Sequence, residues 1–249
     1  MIEMKIVCFG DSLTRGVSFV RGRLRIIKEN YPSFLQDMFS SNQEECISVV
    51  NKGVFNDNSD LLLKRLDKDV IEEHPDFTII GIGGNDCNFE WKEVAENPGE
   101  NHNPIVPIER YIENLKTMIF TLKEEGITPI ILTLPPLDPV RYYQYISKQY
   151  GSAISHWISM VGGIEHWHGM YNQALNKFVD GIDAIKIDVR TALKKAGDLS
   201  QYISQDGIHL TPIGYQEVSK TIFKELNKKQ EKYALNFVPF ERGQKEIIS

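Results

Sequence analysis

The chain has 249 residues, 41% of them apolar and 25% charged, with a formal net charge of −6. That is enough chain for one α/β domain with a substantial core, and the acidic balance argues against nucleic acid as a partner, because phosphate binding calls for a basic surface. No stretch approaches the ~20 apolar residues that cross a bilayer, and the three cysteines (Cys8, Cys46, Cys87) lack metal-type spacing and read as free thiols.

The opening MIEMKIVCFG has no basic leader ahead of a long apolar region, so a cytoplasmic protein without stable membrane insertion is expected. The first strand is predicted over Met4–Phe9 and runs into Gly10-Asp11-Ser12-Leu13-Thr14. The densest basic patch follows, Arg15, Arg21, Arg23 and Arg25, read as a solvated face. A second strand, Cys46–Asn51, ends in Lys52-Gly53, and a helix begins after Asn58 with Leu61, Leu62, Arg65 and Leu66. The third strand, Phe77–Ile82, leads to Gly83-Gly84-Asn85-Asp86.

The clearest helix spans Ile108–Glu125. Its apolar positions Ile108, Tyr111, Ile112, Leu115, Met118, Ile119 and Leu122 keep helical spacing between Pro107 and Gly126. Strands Thr128–Leu134 and Ala184–Val189 complete the set, each rich in Val or Ile as strands buried on both faces are. Between them, residues 135–171 break the rhythm with Tyr142, Tyr143, Tyr145, Tyr150, Trp157 and Trp167, which reads as a helical insertion near the crevice. Near the end, Asp206-Gly207-Ile208-His209 precedes a helix started by Thr211-Pro212. Residues 1–228 form one domain in this reading, and 229–249 a tail with scattered apolar residues.

Strands alternating with helices imply a parallel sheet covered on both faces, doubly wound by right-handed crossovers. In such sheets the active crevice lies beyond the carboxyl ends of the strands. Each candidate for chemistry here stands just past a strand or just before the last helix. A serine at a strand-to-helix turn presents its Oγ, with its own N–H at a helix start suited to an oxyanion. Glycines bring backbone close, and Asn85 offers an amide donor. Asp206, three residues before His209, can fix the imidazole tautomer and leave the other ring nitrogen as base. Singly, each of these is also plain turn or cap chemistry. Jointly they supply nucleophile, base, orienter and oxyanion donors, a complete acyl-transfer site.

Blocks F-G-D-S-L-T, N-K-G, G-G-N-D and D-G-I-H-L-T-P-I-G-Y, in that order over residues 9 to 215, resemble the GDSL/SGNH hydrolases. The resemblance implies a flavodoxin-like three-layer α/β/α sandwich with a five-stranded parallel sheet. It also implies Ser12 as nucleophile, His209 as base and Asp206 as its partner, with an oxyanion hole of Ser12 N–H, Gly53 N–H and the Asn85 side chain. The chain departs from the family where a second glycine commonly follows in the glycine block: Asn56 stands there, a residue type that tolerates positive φ.

The expected substrate is a small-molecule ester with a short acyl group, such as an acetyl ester of a carbohydrate. A lysophospholipase or thioesterase is the alternative, and no cofactor is called for. The rivals are weaker. A flavodoxin-like nucleotide- or flavin-binding module lacks a full G-x-G-x-x-G or Walker pattern. Glu165, His166 and His168 lie close together but not at a ligand spacing, which favours packing or substrate contact. Cys87 has no base nearby in sequence and reads as a buried thiol.

Overall fold

A computed structural model describes residues 3–41 and 46–233. Seven strands form in chain order: β1 (Glu3–Gly10), β2 (Val17–Val20), β3 (Arg23–Ile26), β4 (Cys46–Gly53), β5 (Phe77–Gly81), β6 (Thr128–Leu132) and β7 (Ile185–Ile187). Five of them make one parallel sheet in the order β4-β1-β5-β6-β7. The second large strand lies on one side of the first and the rest on the other, so the order reverses at β1 and opens a crevice at its carboxyl end.

The sheet is buried on both faces, which is why its strands read as near-continuous Val and Ile runs. Val7, Phe9, Ile80 and Ile131 face a core built with the helices Ser59–Lys64, Ile108–Glu124 and Ile164–Asp180. Ile6, Cys8, Ile79 and Ile130 face a second core under the helices Tyr31–Ser40, Val189–Ala196 and Pro212–Tyr233. This is the expected three-layer α/β/α sandwich. Each buried Leu, Ile or Phe contributes on the order of 1.5–3 kcal/mol. The long helix expected from Ile108 is present as Ile108–Glu124, and Gly126 (φ 74°) turns the chain out of it.

Several features differ from the sequence expectation. The basic patch forms an antiparallel hairpin of β2 and β3, turned at Arg21 (φ 52°) and Gly22 (φ 81°). Arg15, Arg21, Arg23 and Arg25 are exposed, while Val17 and Ser18 are buried and Tyr215 Oη donates to Val17 O (2.5 Å). β7 is shorter than expected, because Asp188 caps the helix that starts at Val189. The aromatic segment is helical, with helices Pro139–Tyr150 and Ile154–Met160. Its expected upper bound at 171 falls inside the helix Ile164–Asp180, whose Tyr171, Leu175 and Val179 pack on the sheet. The last helix runs on to Tyr233, and tail residues 234–249 lie outside the described residues. Among the described residues no helix is long and apolar enough to cross a membrane.

Candidate active site

Gly10, Gly53 and Gly81 lie side by side at the carboxyl edge of the sheet, Gly10 in register with both others. A Cβ on Gly10 would lie 2.3 Å from Gly81 O and 2.2 Å from Thr14 Oγ1, and one on Gly53 would lie 2.1 Å from Arg15 N. Only strands without side chains there let the one-turn helix Ser12–Arg15 fold back onto the sheet edge. Asp11 caps that helix, its Oδ1 accepting from Leu13 N at 2.8 Å. Burial pushes the Asp11 carboxyl up to about 7.

Ser12, the first residue of that helix, places its Oγ 2.9 Å from His209 Nε2. His209 Nδ1 lies 2.5 Å from Asp206 Oδ2. The two residues arrive from opposite ends of the chain and meet over the rim between β1 and the loop before the last helix. Burial alone would raise the Asp206 carboxyl; hydrogen bonds from the His209 ring, Ser204 and the His209 backbone outweigh it and hold the group below its ordinary range. Asp206 Oδ1 accepts from Ser204 Oγ (2.7 Å) and from His209 N (3.2 Å). A carboxylate so held accepts a hydrogen bond from His209 Nδ1–H and turns the Nε2 lone pair toward the serine hydroxyl. Ser204 carries no motif of its own, and the sequence reading missed it.

The remaining expected residues sort differently. Asn85 stands past β5 and its Nδ2 donates to Asp57 O at 2.7 Å, which fixes the amide and leaves its second hydrogen unused by that bond. Gly53 does not match the expectation of a free oxyanion donor: its N–H donates to Asn51 Oδ1 at 2.9 Å, a short side-chain-to-backbone turn that satisfies it internally. The absent side chain at Gly53 is explained by its approach to the Arg15 backbone. Asn56, on the same loop, adopts φ 64°, the conformation a glycine would take there.

A second residue unread as functional is Arg65. Its Nε donates to Asp57 Oδ2 (2.6 Å), Nη1 to Lys52 O (2.9 Å) and Asp69 Oδ2 (2.8 Å), and Nη2 to Gly10 O (2.9 Å). The guanidinium also lies 4.5 Å from the Phe9 ring centre. One side chain thus ties the ends of β1 and β4 to the loop whose Asp57 carbonyl holds Asn85. Asp86, next to Asn85, accepts from Ser59 N with both oxygens (3.0 and 3.2 Å), and burial raises its carboxyl to about 6.

Beside Asn85 and His209 opens a largely apolar pocket, with Leu134, Pro135, Trp167 and Ile208 in its walls. The aromatic segment supplies part of this wall and otherwise packs against residues 88–91 beyond β5: Trp91 Nε1 and Tyr142 Oη both donate to Asn88 Oδ1, and Phe89 meets Trp157 edge-on at 5.7 Å. Glu165, His166 and His168 do not converge. Glu165 pairs with Lys194, His166 is exposed, and His168 is buried against Arg190. Cys87 is buried, its thiol pushed far up by burial, and its Sγ donates to Gly84 O.

A serine, an imidazole and a carboxylate in a hydrogen-bonded line, at the carboxyl edge of a sheet with flavodoxin strand order, is an arrangement typical of acyl-transfer hydrolases. Residues 8–217 match the model of the GDSL-like lipase/acylhydrolase family; the chain belongs to that family and is a carboxylic ester hydrolase. It is 28% identical over 237 residues to the isoamyl acetate-hydrolyzing esterase 1 homolog of Bos taurus, spanning 92% of this chain and 84% of that protein. It is 25% identical over 231 residues to the uncharacterized lipoprotein YqeF of Bacillus subtilis (strain 168), spanning 87% of each. Among solved structures, it superposes on a lipase/acylhydrolase from Enterococcus faecalis with a TM-score of 0.68 at 22% identity, over 91% of this chain and 96% of that one. The acetylxylan esterase Axe2 from Geobacillus stearothermophilus gives a TM-score of 0.61 at 19% identity, over 90% and 95%. These structural likenesses establish the fold.

Proposed function

We propose that the chain hydrolyses acetyl and other short-acyl esters of small alcohols or carbohydrates through an acyl-enzyme on Ser12. The observation that carries the reading is the line Ser12 Oγ–His209 Nε2–Nδ1–Asp206 Oδ2, at 2.9 and 2.5 Å. His209 takes the Ser12 proton as Oγ attacks the ester carbonyl, and Asp206 stabilises the imidazolium. The oxyanion is received by the Ser12 N–H and the Asn85 amide hydrogen not given to Asp57. We assign the third donor to Asn56 N–H rather than to Gly53, whose N–H is taken by Asn51: Asn56 stands where the family pattern commonly has a second glycine, and its φ of 64° is one a glycine adopts readily. His209 then protonates the leaving alcohol as the C–O bond breaks. Water, deprotonated by the same imidazole, attacks the acyl-serine carbonyl; the carboxylic acid departs and Ser12 is restored.

Two kinds of relative support the acyl preference, an isoamyl acetate-hydrolyzing esterase homolog by sequence and an acetylxylan esterase by fold. The free thiols Cys8 and Cys87 support a reducing, cytoplasmic setting. The test is a panel of 4-nitrophenyl esters from acetyl to long acyl, beside acetylated sugars, with Ser12→Ala as control. Turnover is expected to peak at short acyl groups and to fall on the order of 10⁶-fold in Ser12→Ala. Wild-type rates in Ser12→Ala would remove the nucleophile, and a maximum at long chains would replace the short-acyl preference with a lysophospholipase or thioesterase one.

A further inference from the structure

His168 is a buried polar residue that the reaction above does not use. It sits on the helix Ile164–Asp180 and lines the same pocket as His209 and Asn85. Its Nδ1 lies 3.1 Å from Arg190 Nη1. A guanidinium only donates, so Nδ1 must accept, and the ring proton is forced onto Nε2. Arg190 is itself held: Nη1 also donates to Leu134 O (3.2 Å) and Pro135 O (3.3 Å), and its backbone N to Thr133 Oγ1 (3.0 Å). Among the described residues nothing accepts from His168 Nε2. The ring therefore presents one N–H, its tautomer fixed from behind, to a pocket whose neighbouring walls (Leu134, Pro135, Ile164, Trp167) are apolar. Burial, reinforced by the Arg190 and Lys194 charges, holds the imidazole down to about 3, so it is a neutral donor throughout the working pH range.

We propose that His168 determines substrate specificity: its Nε2–H binds a hydroxyl or ether oxygen on the alcohol portion of the ester. The pocket then selects acetylated polyols and sugars over hydrocarbon acetates of equal size. An apolar wall with one fixed donor discriminates in this direction, because a substrate lacking the acceptor leaves a desolvated N–H unpaired. Taken with the hydrolase reading above, on which its turnover readout rests, this names the substrate class that reaches Ser12.

The experiment compares a monoacetylated methyl pentoside with cyclohexyl acetate, in wild type, His168→Phe and His168→Gln. The wild type should favour the pentoside in kcat/KM by about tenfold or more, as one buried hydrogen bond would. His168→Phe should lose about 10- to 100-fold on the pentoside and stay within about threefold on cyclohexyl acetate. His168→Gln, which restores a neutral N–H at similar reach, should recover part of the loss. The wild-type preference should also stay flat between pH 5 and 8, since no proton is exchanged at His168 there. Equal losses on both esters, no loss on either, or a preference that titrates in that window would overturn the assignment. The same pair is measured by calorimetric binding to Ser12→Ala, where the His168 discrimination should persist without turnover. Discrimination in binding with no wild-type hydrolysis of either ester would sink the hydrolase reading and leave this one standing; hydrolysis of both, shifted equally by His168→Phe, would do the reverse.

Discussion

Replacing Arg65 by Met keeps most of the side chain's apolar length and removes its four donated hydrogen bonds. The guanidinium is 16% exposed and its Asp57 partner 9%, so the pair is close to buried. Breaking such a pair from one side leaves a desolvated carboxylate and typically costs about 3–5 kcal/mol. Gly10 O and Lys52 O lose their donors as well, while the exposed share of the network offsets part of the loss. We expect Arg65→Met to lower the unfolding free energy by about 3–5 kcal/mol, which for a chain of this size is a Tm drop of roughly 10 °C. Urea denaturation followed by tryptophan fluorescence would measure it. Arg65→Lys should fall between, because an ammonium cannot span the four acceptors. Adding Asp57→Asn to Arg65→Met should recover about 1 kcal/mol or more, by removing the stranded charge. Below its unfolding transition, Arg65→Met should also lose on the order of tenfold or more in kcat, since Asp57 O anchors Asn85 and small misplacements near the chemistry are costly. Stability within 1 kcal/mol of wild type, or strictly additive losses in the double variant, would refute this account of how the strand ends are held.

Asp206→Asn should leave the fold intact and reduce kcat by about 10³–10⁴, through loss of the tautomer and of imidazolium stabilisation; near-wild-type kcat would show that His209 is oriented by something else. Gly53→Ala forces a Cβ to within 2.1 Å of Arg15 N, so it should destabilise the chain and depress kcat together; wild-type stability and kcat would show that this close approach does not constrain the position. Asp11 titrates near 7 in the folded chain against its ordinary 3.8, so the folded state keeps a proton that the unfolded chain has lost. Its contribution to stability therefore falls as pH rises from about 4 to about 7. Asp11→Asn, which can still cap Leu13, should abolish that slope and gain about 2–3 kcal/mol at pH 8 relative to pH 5 against wild type. Urea titrations at the two pH values would show it, and an unchanged difference between them would contradict the assigned burial of Asp11.

What the sequence announced and what it hid divide along a physical line. The strands were legible because burial on both faces demands Val and Ile runs, as at Ile79–Ile80 and Ile130–Ile131. Ser12, Asp206 and His209 were legible because each sits in a short local pattern with a turn function of its own. Arg65 was read only as a position on a helix, since its acceptors on Gly10 and Lys52 lie 55 and 13 residues away and follow from the sheet order, which periodicity does not specify. The β2–β3 hairpin was masked by its arginines: Arg21-Gly22 is a two-residue turn, but the charges on β3 conceal the alternation of a solvent-facing ribbon. Glu165, His166 and His168 were read together because they are near in sequence, whereas the helix sends only the last of them into the interior.

Gly53 shows why motif and role come apart even where the pattern was found. Two requirements fall on this loop: close approach of backbone to the Ser12 helix, and an N–H without an internal acceptor. Gly53 meets the first, with Arg15 N where its Cβ would be, and fails the second, because Asn51 Oδ1 has taken its hydrogen. Asn56 differs: it takes a left-handed φ of 64° and is exposed, so no close packing excludes its side chain. Glycine is enforced where space is forbidden, and asparagine is tolerated where only the dihedral is unusual. At Asn56, where the chain departs from the family pattern, the unusual dihedral and not the lack of a side chain sets the choice of residue.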